Sequence, residues 1–162
     1  MEINTITIRR MIFDYLQGPQ KLEETILGMS EEELFLRPIP EKWTTLEVIC
    51  HISDMELVYA DRIKRILVEE NPILTNANEN LYAKKLFYHK RKATEEMHFI
   101  YSIRNQISKI LNNLDISDWF RIGIHSLIGE INLYQIVQNI TNHIPHHIQF
   151  ILEKKKIIKN EK

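Results

Sequence analysis

Three histidines fall within five residues of the segment Asn139-Ile-Thr-Asn-His143-Ile-Pro-His146-His147-Ile-Gln-Phe150, and each can offer a metal ion a neutral imidazole nitrogen. On a helix, His143 and His147 leave one face about 5–6 Å apart at Cβ, within reach of a single ion. They also stand where the surrounding repeat of Leu133, Ile136, Ile140 and Phe150 or Ile151 asks for apolar side chains. A buried pair of this kind needs either hydrogen-bond partners or a metal, and these two residues alone leave both open. His146 competes as a ligand. It points about 100° away from His147 on an ideal helix, toward the rim, unless Pro145 rotates that turn.

A further histidine, His51, lies on or beside the inward stripe of another helix, with Val48, Ile52, Met55, Val58 or Tyr59, Arg62 and Ile66. It is either a core histidine with satisfied nitrogens or a third ligand. Helix bundles build metal sites from facing helices, and three imidazoles leave a coordination position open, as in catalytic rather than structural zinc sites. Zinc or nickel comes first for such a set, with iron, cobalt and manganese as alternatives. A water or thiol at the open position becomes a nucleophile near neutral pH. Asp54, Glu56, Tyr59 and His146 stand near enough in sequence to be considered as a general base, although Asp54 and Glu56 read equally well as hydrogen-bond partners or solvated acids. No catalytic residue is singled out. Cys50, next to His51, is either a sulfur ligand or nucleophile or a small buried hydrophobe. His89 and His98 fall off the helical stripe and read as surface residues, as does His125, which could otherwise add a ligand.

The elements that must position these groups are helical, because apolar residues recur at threes and fours between only four glycines and five prolines. Four main helices are expected. The first runs from about Asn4 to Leu16, is kinked or broken at Gly18-Pro19, and resumes through Leu22, Ile26 and Leu27. Ser30–Glu33 has capping-box spacing for a short helical turn, and Arg37-Pro38-Ile-Pro40 forces an extended connection. The second helix opens with the Thr44/Glu47 capping box, with Trp43 as a hydrophobic staple, and reaches about Glu69. The third covers roughly Tyr82 to Leu111 on the stripe Met97, Ile100, Ile103, Ile107 and Ile110. From Leu114 to Ile131 the helical period is lost, which predicts a long crossover packed by Trp119 and Phe120. The fourth helix opens at Asn132 with Gln135 in the capping-box place, and Pro145 predicts a kink or bulge.

Composition bounds the partners. Of 162 residues, 27% are charged and 44% apolar, with a formal net charge of -1; this fits one globular domain over residues 1–162 and removes the electrostatic case for nucleic acid. The basic run Lys84, Lys85, Lys90, Arg91 and Lys92 reads as a solvated face, and Lys154, Lys155 and Lys156 as complements to the helix dipole. A single cysteine excludes an internal disulfide framework and fits the cytoplasm. The N-terminus lacks signal-peptide character, and no apolar run approaches the ~20 residues of a membrane span.

Trp43-Thr-Thr-Leu-Glu-Val-Ile-Cys-His51-Ile-Ser-Asp54-Met-Glu56, followed by Arg62-Ile63, resembles the first signature of the DinB-like superfamily. Asn142-His143-Ile-Pro-His146-His147 is similar to its second signature, and Gly129-Glu130-Ile-Asn-Leu133 to the stretch leading into it. The likeness spans about Glu31 to Phe150. It implies an all-α fold, a four-helix bundle with long crossover connections, usually a homodimer. It also implies a divalent metal held by three histidines that match His51, His143 and His147. Relatives that are enzymes include thiol-dependent S-transferases, which add bacillithiol or a similar low-molecular-weight thiol to electrophiles, and a mycothiol-dependent isomerase. The expectation is therefore a divalent-metal-dependent enzyme, a thiol S-transferase or hydrolase-like activity on a small electrophilic substrate. The alternative is a non-enzymatic, metal-stapled helical dimer with a stress-related binding role. Ile148-Gln149-Phe150 stands where Arg-Gly-Gln often follows the last histidine, a departure that bears on the substrate more than on the metal.

Overall fold

Each long helix that carries a proposed ligand starts at a reciprocal side-chain cap. In a computed structural model that describes residues 3–160, α3 (Thr45–Val68) opens where Glu47 N donates to Thr44 Oγ1 at 3.1 Å and Thr44 N donates to Glu47 Oε2 at 2.6 Å. The last helix, α6 (Leu133–Asn160), opens where Asn132 and Gln135 exchange two 2.9 Å bonds. Asn4 and Thr7 do the same for α1 (Thr5–Ile26), and Ser30 with Glu33 for the short α2 (Glu31–Phe35). Such caps satisfy amide groups that the first turn leaves without partners.

The bundle is formed by α1, α3, α5 (Ala93–Leu111) and α6. Both α1 and α3 pack on α5 and α6, so α1 to α3 and α5 to α6 are diagonal connections and need long crossovers. One apolar cluster gathers Ile12, Ile63, Ile107, Ile136 and Ile140; another gathers Leu22, Ile49, Ile52, Ile100, Ile144 and Ile151. Burying one such side chain stabilises the fold by about 1.5–3 kcal/mol. No helix among the described residues is long and apolar enough to cross a membrane.

A polar knot crosses the bundle and touches all four helices. Arg104 of α5 donates from Nε to Glu56 Oε1 of α3 at 2.9 Å, from Nη1 to the Tyr15 carbonyl of α1, and from Nη2 to the Ile140 carbonyl of α6 at 3.0 Å. Tyr15 Oη donates to Glu56 Oε2 at 3.2 Å. The knot explains why Gly18-Pro19 does not break α1, which stays helical to Ile26. Pro19 lacks the N–H that the Tyr15 carbonyl would have accepted, and Arg104 supplies a donor instead. A Cβ on Gly18 would lie 2.1 Å from Arg104 Nη1, so glycine there makes room for the guanidinium. Pro145 likewise leaves α6 uninterrupted and sits on its exposed side.

Two further expectations need correction. The third helix does not run from Tyr82: α4 (Glu79–Lys85), a tight turn at Tyr88–Lys90 and α5 replace it, with Phe87 in the left-handed region at φ 51°. Here Tyr88 Oη donates to Asp54 Oδ2 at 2.7 Å and Arg91 Nη1 to Asp54 Oδ1 at 2.9 Å, drawing the chain inward. The crossover from Leu114 is not wholly irregular either. Strand β2 (Ile122–His125) pairs antiparallel with β3 (Gly129–Asn132), and β1 (Ile73–Leu74) adds a parallel edge, with Ile73 opposite Ile124.

Candidate metal centre

His51 comes from the second turn of α3; His143 and His147 are one turn apart on α6, as their spacing requires. The structure brings the three together. His143 Nε2 lies 3.1 Å from His51 Nε2 and 3.1 Å from His147 Nε2. One ligand atom from each of the three falls within 4.8 Å of the others, a set able to hold an ion. A separation near 3.1 Å is of the size two nitrogens take when each lies about 2.0–2.1 Å from one metal. The Nδ1 atoms of all three rings are buried and have no hydrogen-bond partner among the described residues. With protons on Nδ1, three lone pairs converge, an arrangement that repels itself unless a cation receives them.

Electrostatics favour the ligand form. Burial lowers the pKa of His51 to about 4; burial and then His147 lower that of His143 to about 2; burial and then His51 lower that of His147 to about 3. The imidazoles are neutral at pH 7 and ready to coordinate. The Trp43 ring, 4.9 Å from that of His51, covers one side.

The other candidates are elsewhere. His146 is exposed at the rim, its ring 5.2 Å from that of His147 and 5.0 Å from that of Phe150. Asp54 is engaged with Tyr88 and Arg91, and Glu56 is fully buried in the Arg104 knot; neither touches the histidines. Tyr59 packs beneath Arg62. Cys50 is buried with its Sγ turned to the Tyr88 carbonyl at 3.9 Å and is not one of the converging ligand atoms, and burial chiefly pushes its thiol up to about 12. His89 and His98 are exposed, but His125 is not a surface residue: it is 9% exposed in β2, its Nδ1 accepting from Leu127 N, because the hairpin folds it inward. In the basic run, Lys84, Lys85, Lys90 and Lys92 are solvated, whereas Arg91 is paired with Asp54 and Glu96.

Beside the cluster opens a cavity of ≈ 720 Å³, walled by Trp43, Val48, His146, Phe150, Glu79 and Lys154 among others. Two of these escaped the sequence reading. Glu79, in the first turn of α4, carries Oε2 3.9 Å from His51 Nε2. Nothing in the polar stretch around it signals this, since α4 is brought over α3 only by the tertiary fold. Lys154 was expected to complement the helix dipole; instead it is 3% exposed and turns back to donate to the Phe150 carbonyl at 3.1 Å. Extending the histidine stripe another turn past Ile151 arrives at Lys154 and could have flagged it. Lys155 serves a different helix end, donating to the carbonyls of Thr25 and Leu27 at the C-terminus of α1, each at 2.7 Å.

Comparison with known proteins bears on this geometry. A family model described as the DinB superfamily matches residues 14–151. A protein named "Putative metal-dependent hydrolase" from Oceanobacillus iheyensis is 25% identical over 150 residues, 93% of this chain and 87% of that protein. Another with the same description from Halalkalibacterium halodurans is 23% identical over 150 residues, covering 93% and 87%. The solved structure of YfiT from Bacillus subtilis, described as a probable metal-dependent hydrolase with an unusual four-helix bundle topology, matches with a TM-score of 0.91 at 19% identity. That match covers 98% of this chain and 91% of that one.

Proposed function

Because the chain belongs to the DinB superfamily, we propose that it is a metal-dependent hydrolase whose divalent ion, zinc or nickel, is held by Nε2 of His51, His143 and His147. The observation that carries this reading is the convergence of those three nitrogens. When bound, the ion acidifies a water and polarises a substrate carbonyl or similar group. The protein's own residues do the rest. Glu79 Oε2, at 3.9 Å from His51 Nε2, is close enough to the centre to take the proton that an attacking water gives up. Trp43, Val48 and Phe150 form an apolar wall that orients the substrate and excludes bulk water. The Arg104–Glu56 pair ties α5 to α3, and the bond to the Ile140 carbonyl ties it to α6, fixing the two ligand-bearing helices in register.

Metal analysis of protein purified without an affinity tag tests the reading directly. About one ion per chain is expected, falling below a tenth in His51→Ala. Unchanged stoichiometry in that variant overturns the three-histidine site. An ester and amide panel then asks for hydrolysis, with a low-molecular-weight thiol plus electrophile as a parallel arm. Conjugation without hydrolysis would favour the S-transferase expected from the resemblance; metal without either activity would favour a non-enzymatic staple. A homodimer belongs to the same proposal, to be read from sedimentation equilibrium. A cytoplasmic location fits the single cysteine.

A further inference from the structure

Lys154 sits one stripe position beyond Ile151 and one before Ile158 on α6. Those two neighbours are buried isoleucines, 0% and 4% exposed, while Lys154 at 3% exposure puts an ammonium where the repeat supplies hydrocarbon. Its hydrogen bond is to the Phe150 carbonyl, and no carboxylate pairs with it among the described residues. A buried cation that makes no ion pair is costly. Burial accordingly lowers the pKa of Lys154 from its ordinary value, against the opposing pull of exposed Glu153.

The side chain also stands in the wall of the metal-side cavity. Lys154 lies seven residues past His147, about 10.5 Å along the axis. Helical side chains lean toward the N-terminus, and the bond to the Phe150 carbonyl draws Nζ back, so the ammonium lies about one turn, roughly 5 Å, beyond the level of His147. Phe150 is between them, its ring 5.9 Å from that of His147.

We propose that Lys154 anchors the carboxylate of the substrate, so that this site acts on small organic acids whose reacting group and carboxylate are separated by a short apolar spacer lying against Phe150. The proposal rests on the metal-site reading above and deepens it. A monoanion fits better than a dianion, because the other acidic groups around the cavity, Glu41, Glu79 and Glu153, are exposed at its rim and repel added negative charge. Lys42, the cavity's other lysine, is exposed and solvated, and a carboxylate gains less from it.

Zinc-loaded protein is titrated calorimetrically with two ligands of one length: succinate monohydroxamate, which ends in a carboxylate, and neutral butyrohydroxamate. The hydroxamate chelates the metal in both. The wild type is expected to bind the acid about ten-fold or more tightly than the neutral ligand. Lys154→Met keeps the apolar stem and abolishes the preference while holding butyrohydroxamate affinity within about two-fold; Lys154→Arg retains the preference. Equal affinities in the wild type overturn the proposal with no variant needed, and so does a preference that survives in Lys154→Met. Failure of both hydroxamates to bind the wild type overturns the metal reading itself, and the anchor with it.

Discussion

A histidine ring surrounded by other rings has two ways to stay neutral, and in this protein both leave nitrogens without partners unless a cation is received. That constraint makes acid sensitivity a readable property of the three imidazoles. Their folded pKa values, about 4, 2 and 3, lie below the unfolded value near 6.5. The unfolded chain therefore takes up protons first as pH falls, and the stability these groups contribute is fully present above about 6.5 and drains away as pH drops through the folded values. In metal-stripped protein the urea midpoint should decline from about pH 7 to about pH 5, and His143→Leu should decline less over that interval. Equal declines would mean that the rings are solvated. Glu79 belongs to the same scale: with the best hydrolytic substrate, Glu79→Gln should lower kcat by about 10²–10⁴-fold and leave metal content unchanged. A loss of metal instead would make Glu79 a ligand.

Among the elements, α1 gives the sharpest test, because its Gly18-Pro19 pair is shaped around a side chain from another helix. Gly18→Ala drives a methyl to 2.1 Å from Arg104 Nη1. The expected destabilisation is about 1–3 kcal/mol by chemical denaturation, opposite in sign to an ordinary helical glycine-to-alanine change. Arg104→Ala should cost about 3–5 kcal/mol by leaving Glu56 buried without its counter-charge. These elements also mark the limits of sequence reading. The histidines of α6 were legible because they interrupt an apolar repeat, and the caps at Thr44 and Asn132 because their signals are three residues long. Gly18-Pro19 read as a kink or break because the partner of Gly18 is 86 positions away in sequence. The basic run before α5 read as continuous helix because no glycine or proline marks the inward turn of Tyr88 and Arg91 toward Asp54. The β-hairpin was missed because its strands are four residues each, too short for alternation to register.

At the scale of the molecule, the ion would join α3 to α6, so its removal should be felt by the whole bundle. Binding at about 100 times the dissociation constant adds about 2.7 kcal/mol, or roughly 5–10 °C for a chain of this length. Calorimetric melts with and without a chelator should differ by that amount in the wild type and coincide in His51→Ala; coincident wild-type melts would mean that no metal links the helices. The guanidinium that meets every long helix has a kinetic corollary. Three helices gathered without the fourth would trap an arginine short of acceptors or a glutamate short of donors in hydrocarbon, so half-assembled forms are driven uphill. Refolding of the metal-free chain after an unfolding pulse too brief for its five prolines to isomerise should then follow a single exponential, with straight chevron arms and no burst phase.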